Sequence, residues 1–210
     1  MSERPLVSII TPTWQRHELL LETIQNVREQ TYRPLEHIIV SDGPDVPLHM
    51  PILSEQQAAA HRGWPPIAFV ELGRNWSTFL PRSFGVAPLT VGAMMARGEY
   101  HMWLCDDERM KPDHVEHLVD LIESTGADFV YPHVLMWKMA HPGVAWAIGT
   151  DPPEHGQITN FLYHASVLQK AMYRFDIPEE GDWDLVSRWM AAGATWAMSD
   201  RCTISHRADH

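Results

Sequence analysis

Cysteine is nearly absent: only Cys105 and Cys202 occur in 210 residues, which excludes a disulfide-stapled scaffold and fits a reducing compartment. No apolar run approaches the roughly 20 residues needed to cross a bilayer as a helix. Met1-Ser2-Glu3-Arg4-Pro5 also has neither the charged nor the apolar region of a secretory leader, so the expectation is a cytoplasmic protein with no membrane span. Basic residues are few: 16 Lys and Arg against 27 Asp and Glu leave a formal charge of −11 with histidine neutral. That excludes a global basic field for nucleic acid, while a local basic patch stays open. Repeats, linkers and low-complexity segments are missing as well, and the length suits one domain with a substantial core. The surplus lies in 9 tryptophans and 13 histidines.

Hydrophobic periodicity divides the chain into strands and helices. Leu6–Thr11 is a β-branched apolar run of buried-strand type ended by Pro12, and Glu18–Gln30 has helical spacing through Leu19, Leu20, Ile24 and Val27. Glu36–Val40 is a second strand, closing on the turn Ser41-Asp42-Gly43-Pro44. Strand, helix, strand implies a right-handed crossover and a parallel sheet. The spacing then predicts a short helix near Ser54–His61, a strand at Ile67–Glu71 and an irregular loop over Leu72–Pro88. A helix at Leu89–Arg97, a strand at Tyr100–Leu104 and a helix at Pro112–Ser124 follow. Beyond these come a strand at Phe129–Tyr131, a hairpin over Leu135–Ile148 turning at His141-Pro142-Gly143, helices near Ala165–Met172 and Trp183–Ala192, and a strand at Thr195–Met198. The reading is one α/β domain with a β-rich second half.

The chemistry concentrates at Trp103-Leu104-Cys105-Asp106-Asp107-Glu108, an apolar strand ending in three adjacent acids. A strand's carboxyl end is where open α/β sheets bind ligands. Clustered carboxylates there repel unless a cation compensates them, which points to a metal-assisted site. Cys105 itself reads as a small core residue.

Four motifs in order carry a resemblance that covers nearly the whole chain. They are Val7-Ser8-Ile9-Ile10-Thr11-Pro12-Thr13-Trp14-Gln15-Arg16; Gln30-Thr31-Tyr32 with Glu36 to Gly43; Gly98-Glu99-Tyr100 through Asp107, with Pro112 beyond; and Gly181-Asp182-Trp183-Asp184-Leu185 with Arg188. Together they resemble the family 2 glycosyltransferases of GT-A fold. The chain departs from that pattern at Gln15, where Asn is usual, at Glu180, displaced by one position, and at Leu89-Thr90, where Arg-Asn is common. The resemblance implies a Rossmann-like three-layer α/β sandwich around a mixed, mostly parallel sheet. About 1–108 would bind the nucleotide sugar and about 109–210 would form the acceptor side. It further implies nucleotide contacts from Pro12, Thr13, Arg16, Asp42 and Asp106, and Mn²⁺ or Mg²⁺ held by Asp107 with His206 as a further ligand. Asp182 would be the general base, Trp183 and Asp184 would lie on the acceptor side, and Arg82 or Arg97 would supply the diphosphate contact missing at Leu89-Thr90.

Each residue also has a plainer reading that stays open at this point. Asp42 before Gly43 suits a turn, Arg16 a helix cap or solvent, and the acids a solvated loop. Glu108 would favour a helix N-terminus, Asp182 would serve as a helix cap, and Asp184 would support the same helix start. His206 would be exposed; His114 and His117 would lie on a solvated helix face rather than form a metal pair. Trp137, Trp146 and Trp183 suit stacking on an acceptor, whereas Trp103 and Trp189 suit the core.

The expected function is metal-dependent, inverting transfer of a sugar from a nucleoside-diphosphate sugar to a hydroxyl acceptor, with a UDP-sugar as the expected donor and GDP or dTDP donors left open. A nucleotidyltransferase would need a glycine-rich phosphate loop after the first strand, and Thr13-Trp14-Gln15-Arg16-His17 has no glycine. A non-catalytic nucleotide- or sugar-binding module of the same fold is the other alternative. The acceptor, whether glycan, metabolite, protein or modified nucleobase, and a homodimer completing its side both stay open.

Overall fold

Apolar runs buried on both faces set the centre of the molecule. β1 (Val7–Thr13) and β2 (Leu35–Ser41) are buried along nearly their whole length, as parallel strands covered by helices must be. In this computed structural model, which describes residues 4–79, 85–137, 145–158, 160–172 and 181–207, they belong to one nine-stranded sheet. The other strands are β3 (Ile67–Glu71), β4 (Tyr100–Trp103), β5 (Glu108–Met110), β6 (Phe129–Trp137), β7 (Ala145–Ile148), β8 (Leu162–His164) and β9 (Trp196–Arg207). The order is β3-β2-β1-β4-β8-β6-β9-β5, with β7 paired to β6. β3, β2, β1 and β4 run parallel, β8 runs antiparallel to both β4 and β6, and β9 runs parallel to β6 and antiparallel to β5.

Helices cover both faces. α1 (His17–Arg28) turns Leu20, Ile24 and Val27 inward, and α5 (His114–Thr125) does the same with Val115, Leu118, Val119 and Ile122. These two pack with α2 (Val46–Arg62) on one side of the sheet. On the other side lie α4 (Val86–Met95) and α6 (Gly181–Ala191), over an aromatic group in which Trp189 contacts Phe129, Phe161 and Tyr163. Trp103 and Trp189 are core residues, as expected. The three-layer α/β sandwich with a mixed, mostly parallel sheet is therefore borne out.

Several elements differ from expectation. α2 runs through Pro51 and is far longer than Ser54–His61. The segment read as an irregular loop contains α3 (Trp76–Phe79) and the start of α4. Ala165–Gln169 is a 3₁₀ turn rather than an α-helix. β5 and β8, too short to show periodicity, were not expected, and β9 continues well past Met198. The His141-Pro142-Gly143 turn lies outside the described residues, although β6 and β7 pair antiparallel on either side of it.

Two arrangements position the site. The chain passes from β1 to β2 and β3 on one side and then to β4 on the other, so β1 and β4 flank a topological switch point. β9 reaches the same place from the C-terminal end: its pairing with β5 sets His206 opposite Glu108.

Candidate functional site

At the carboxyl ends of β1, β2 and β4 a cavity of about 440 Å³ is lined by Pro12, Thr13, Trp14, Arg16, Asp42, Ser77, Cys105, Asp106, Asp107 and His206, among others. A second cavity of about 420 Å³, lined by Glu99, Glu123, Asp128 and His164, gathers carboxylates too but holds none of the expected site residues.

The acidic loop is held from beneath by α1. Thr23 Oγ1 donates to the Asp106 carbonyl at 3.1 Å, and the Asn26 amide both donates to Met110 O at 2.9 Å and accepts from Met110 N at 2.7 Å. Asn26 thereby acts as a short partner strand for β5, and the carboxylates above are fixed. Asp106 accepts from Thr13 Oγ1 at 2.9 Å and from Arg16 Nη1 at 3.0 Å; the same Nη1 donates to Asp107 at 3.0 Å. Arg16 thus neither caps α1 with its side chain nor lies free in solvent.

Charge explains this contact. Burial pushes the Asp106 carboxyl up and Asp107 adds to it, while Arg16 and Thr13 pull it down without cancelling the rise. Burial would lower the Arg16 guanidinium, yet the two acids outweigh it and raise its pKa. Cys105 lines the cavity instead of filling the core, and burial together with Glu108, Asp107, Asp106 and Asp182 pushes its thiol well up.

Glu108 does not serve the α5 N-terminus. It is a strand residue, 1% exposed, whose Oε2 accepts from the Cys105 amide at 2.8 Å and from Asn160 Nδ2 at 2.6 Å. His206 Nδ1 stands 3.4 Å from Glu108 Oε1 and 3.9 Å from Asp107 Oδ1. Burial lowers its pKa, but Glu108 and Asp107 more than reverse that and leave it raised. Among the described residues no three His, Cys, Asp or Glu side chains form a ready metal cage. The residues fit a divalent ion differently: Asp107 and His206 offer one hard and one borderline donor, and an ion of that class fills its remaining positions with phosphate oxygens and water.

Asp42 is in the cavity, but its carboxylate already accepts from Trp76 N at 2.9 Å, Ser77 N at 3.0 Å and Ser77 Oγ at 2.6 Å. Asp182 lies in the first turn of α6; its Oδ1 accepts from the Trp183 amide at 2.7 Å, and its charge is felt at Cys105 although it does not line the cavity. Asp184 is buried and bound by Arg188 at 2.7 Å, so it supports the helix start. Trp183 packs near His155 with ring centroids 6.0 Å apart.

Three other expectations change. Arg97 pairs with Glu36 at 2.7 Å and precedes β4, at the opposite end of the strands from the cavity, so it is no diphosphate contact. Arg82 lies outside the described residues. His114 is buried against β9, with Nδ1 2.7 Å from Thr203 Oγ1, instead of lying on a solvated face, while His117 meets Ser199 Oγ at 2.6 Å. Sequence reasoning missed Thr23, Asn26, Ser77 and Asn160; the available signal was Thr23 and Asn26 among the inward positions of an otherwise apolar helix stripe.

The sequence model described as "Glycosyl transferase family 2" matches residues 8–177. The Bacillus subtilis uncharacterised glycosyltransferase YwdF is 30% identical over 125 residues, 60% of this chain and 40% of that protein. The Escherichia coli putative colanic acid biosynthesis glycosyl transferase WcaA is 29% identical over 115 residues, 55% of this chain and 37% of that one. In each case the match spans well under half of the relative. In fold, Staphylococcus aureus TarS 1-349 with UDP-GlcNAc aligns at TM-score 0.73 and 14% identity over 97% of this chain and 59% of that one. The Pyrobaculum calidifontis mannosyltransferase PcManGT with GDP-Man and Mn²⁺ aligns at 0.72 and 15% identity over 98% and 57%.

Proposed function

The chain belongs to glycosyl transferase family 2, and from that premise we propose that it moves a sugar from a UDP-sugar to a hydroxyl acceptor, with inversion, assisted by a divalent metal. The observation that carries this reading is the convergence of Thr13, Arg16, Asp106, Asp107 and His206 on one cavity at the sheet's switch point. TarS with UDP-GlcNAc and PcManGT with GDP-Man and Mn²⁺, which share the fold, support a nucleotide-sugar donor and a divalent ion.

Asp42 and Ser77 face the base or ribose, Pro12 and Thr13 at the carboxyl end of β1 support the nucleotide, and Asp106 meets the ribose. Asp107 and His206 would hold Mn²⁺ or Mg²⁺, which would supply Lewis-acid neutralisation of the departing diphosphate. Arg16, released from the acids once they are otherwise occupied, donates to the diphosphate; it takes the part of the absent Arg-Asn pair. Asp182 is the general base. It accepts the acceptor hydroxyl's proton as that oxygen bonds to the anomeric carbon, opposite the bond that breaks to the diphosphate. One base and one displacement invert the anomeric centre. Trp183 lies on the acceptor side, with Asp184 holding the helix that carries it.

Thermal stability with UDP, GDP, dTDP or CDP, each with and without Mn²⁺, tests the reading. UDP is expected to stabilise the wild type only with metal, by about 2.7 kcal/mol at a hundredfold excess over its Kd. Asp107→Ala is expected to lose that effect. No shift with any of the four nucleotides sinks the donor assignment.

A further inference from the structure

We propose that Glu108 is a positioning residue that sets the tautomer of His206, and that Asn160 and the Cys105 amide lock Glu108 for that task. The proposal rests on the reading of Asp107 and His206 as metal ligands. A carboxylate as buried as Glu108 is rare unless it is fully engaged. Its Oε2 is held by two N–H donors, Cys105 N at 2.8 Å and Asn160 Nδ2 at 2.6 Å. Asn160 is itself buried and sits at φ 55°, a left-handed backbone that asparagine tolerates and bulkier residues avoid. With Oε2 so fixed, Oε1 faces His206 Nδ1 at 3.4 Å.

An ionised carboxylate oxygen only accepts. On this proposal the proton of neutral His206 resides on Nδ1, turned to Oε1 across a 3.4 Å charge contact that is longer than a formed hydrogen bond, and Nε2 keeps the lone pair for an ion. Carboxylates set behind metal-binding histidines act in this way. The arrangement depends on β5 and β9 pairing Glu108 with His206, which brings together residues almost a hundred positions apart.

Glu108→Gln separates the two tautomers. The two donors require an acceptor where Oε2 lies, so the amide oxygen takes that place and the amide NH₂ turns to His206. Nδ1 must then accept, the proton moves to Nε2, and ligation through Nε2 is lost although shape and volume hardly change.

Two measurements on the whole chain test this. The first is ¹⁵N imidazole NMR of the metal-free protein at alkaline pH, with His206 assigned by His206→Ala. The wild type is expected to show a protonated Nδ1 and Glu108→Gln a protonated Nε2; the same tautomer in both overturns the proposal. The second is Mn²⁺ affinity with UDP, followed by EPR of the free ion. Glu108→Gln is expected to weaken it about 10- to 100-fold and to cost nothing further in a His206→Ala background. Equal losses in both backgrounds, or none, overturn the proposal. Asn160→Ala, which removes one lock, is expected to give mixed tautomers and a smaller loss; it replaces Glu108→Gln if that variant does not fold. Unchanged Mn²⁺ affinity in Asp107→Ala would remove the metal-site reading, while the NMR result still decides the tautomer.

Discussion

Arg16 shows how one side chain answers an electrostatic problem that its sequence position does not announce. Asp106 and Asp107 are both nearly buried, and a single guanidinium nitrogen reaches one oxygen of each. Removing it leaves adjacent like charges in a poorly solvated loop. Arg16→Ala is therefore expected to lower the stability of the metal-free protein. The loss is about 1 kcal/mol rather than more, because the guanidinium is 41% exposed and partly screened. Mn²⁺ should restore a larger share of melting temperature in Arg16→Ala than it adds to wild type, and thermal scans with and without Mn²⁺ check this. The acids were legible as a site because three of them follow an apolar strand. Arg16 was legible only as a candidate, since a cation two turns from nothing in particular looks the same whether it is solvated or bridging.

Among the elements, α4 packs against β1 at the wall of the cavity through Gly92. A methyl there would lie 2.3 Å from Ile10 Cγ2, on a β-branched side chain with little freedom to move. Gly92→Ala is expected to cost about 1–3 kcal/mol by overpacking, read by urea denaturation. Adding Ile10→Ala removes the colliding methyl, so the double variant should lose less than the sum of the two single losses. Gly43 acts similarly beside the site: it holds φ 135°, and a Cβ would meet Trp14 at 2.7 Å and Asn75 N at 2.9 Å. Long periodic elements such as α1, α5, β1 and β2 were readable because burial repeats along them. The three-residue strands β5 and β8 were not; they exist because neighbours supply their hydrogen bonds, Asn26 and β9 in the case of β5.

For the molecule as a whole, acid is the informative stress. His37 and His114 are pushed down to about 3 and His101 to about 4 from 6.5, chiefly by burial. Their folded pKa values are depressed, so the unfolded chain binds more protons between those limits. The stability they contribute is complete above about 6.5 and is lost as pH falls toward the folded values. Each histidine steepens the loss by at most about 1.4 kcal/mol per pH unit. Urea denaturation at a series of pH values is expected to show stability falling from neutral to acid pH. His114→Gln should flatten that slope, and an unchanged slope would mean that His114 titrates normally in the folded state.

The sequence alone determined the α/β class, the strand that delivers the acids, and the order of motifs along the chain, because periodicity and turn chemistry act over a few residues. Only the tertiary structure decided which charges meet. Arg16 from the first turn, the acids from the loop after β4, Glu108 from β5, Asn160 from the segment before β8 and His206 from β9 converge through strand pairing and helix packing. Such contacts depend on distance in space, and a sequence records only distance along the chain.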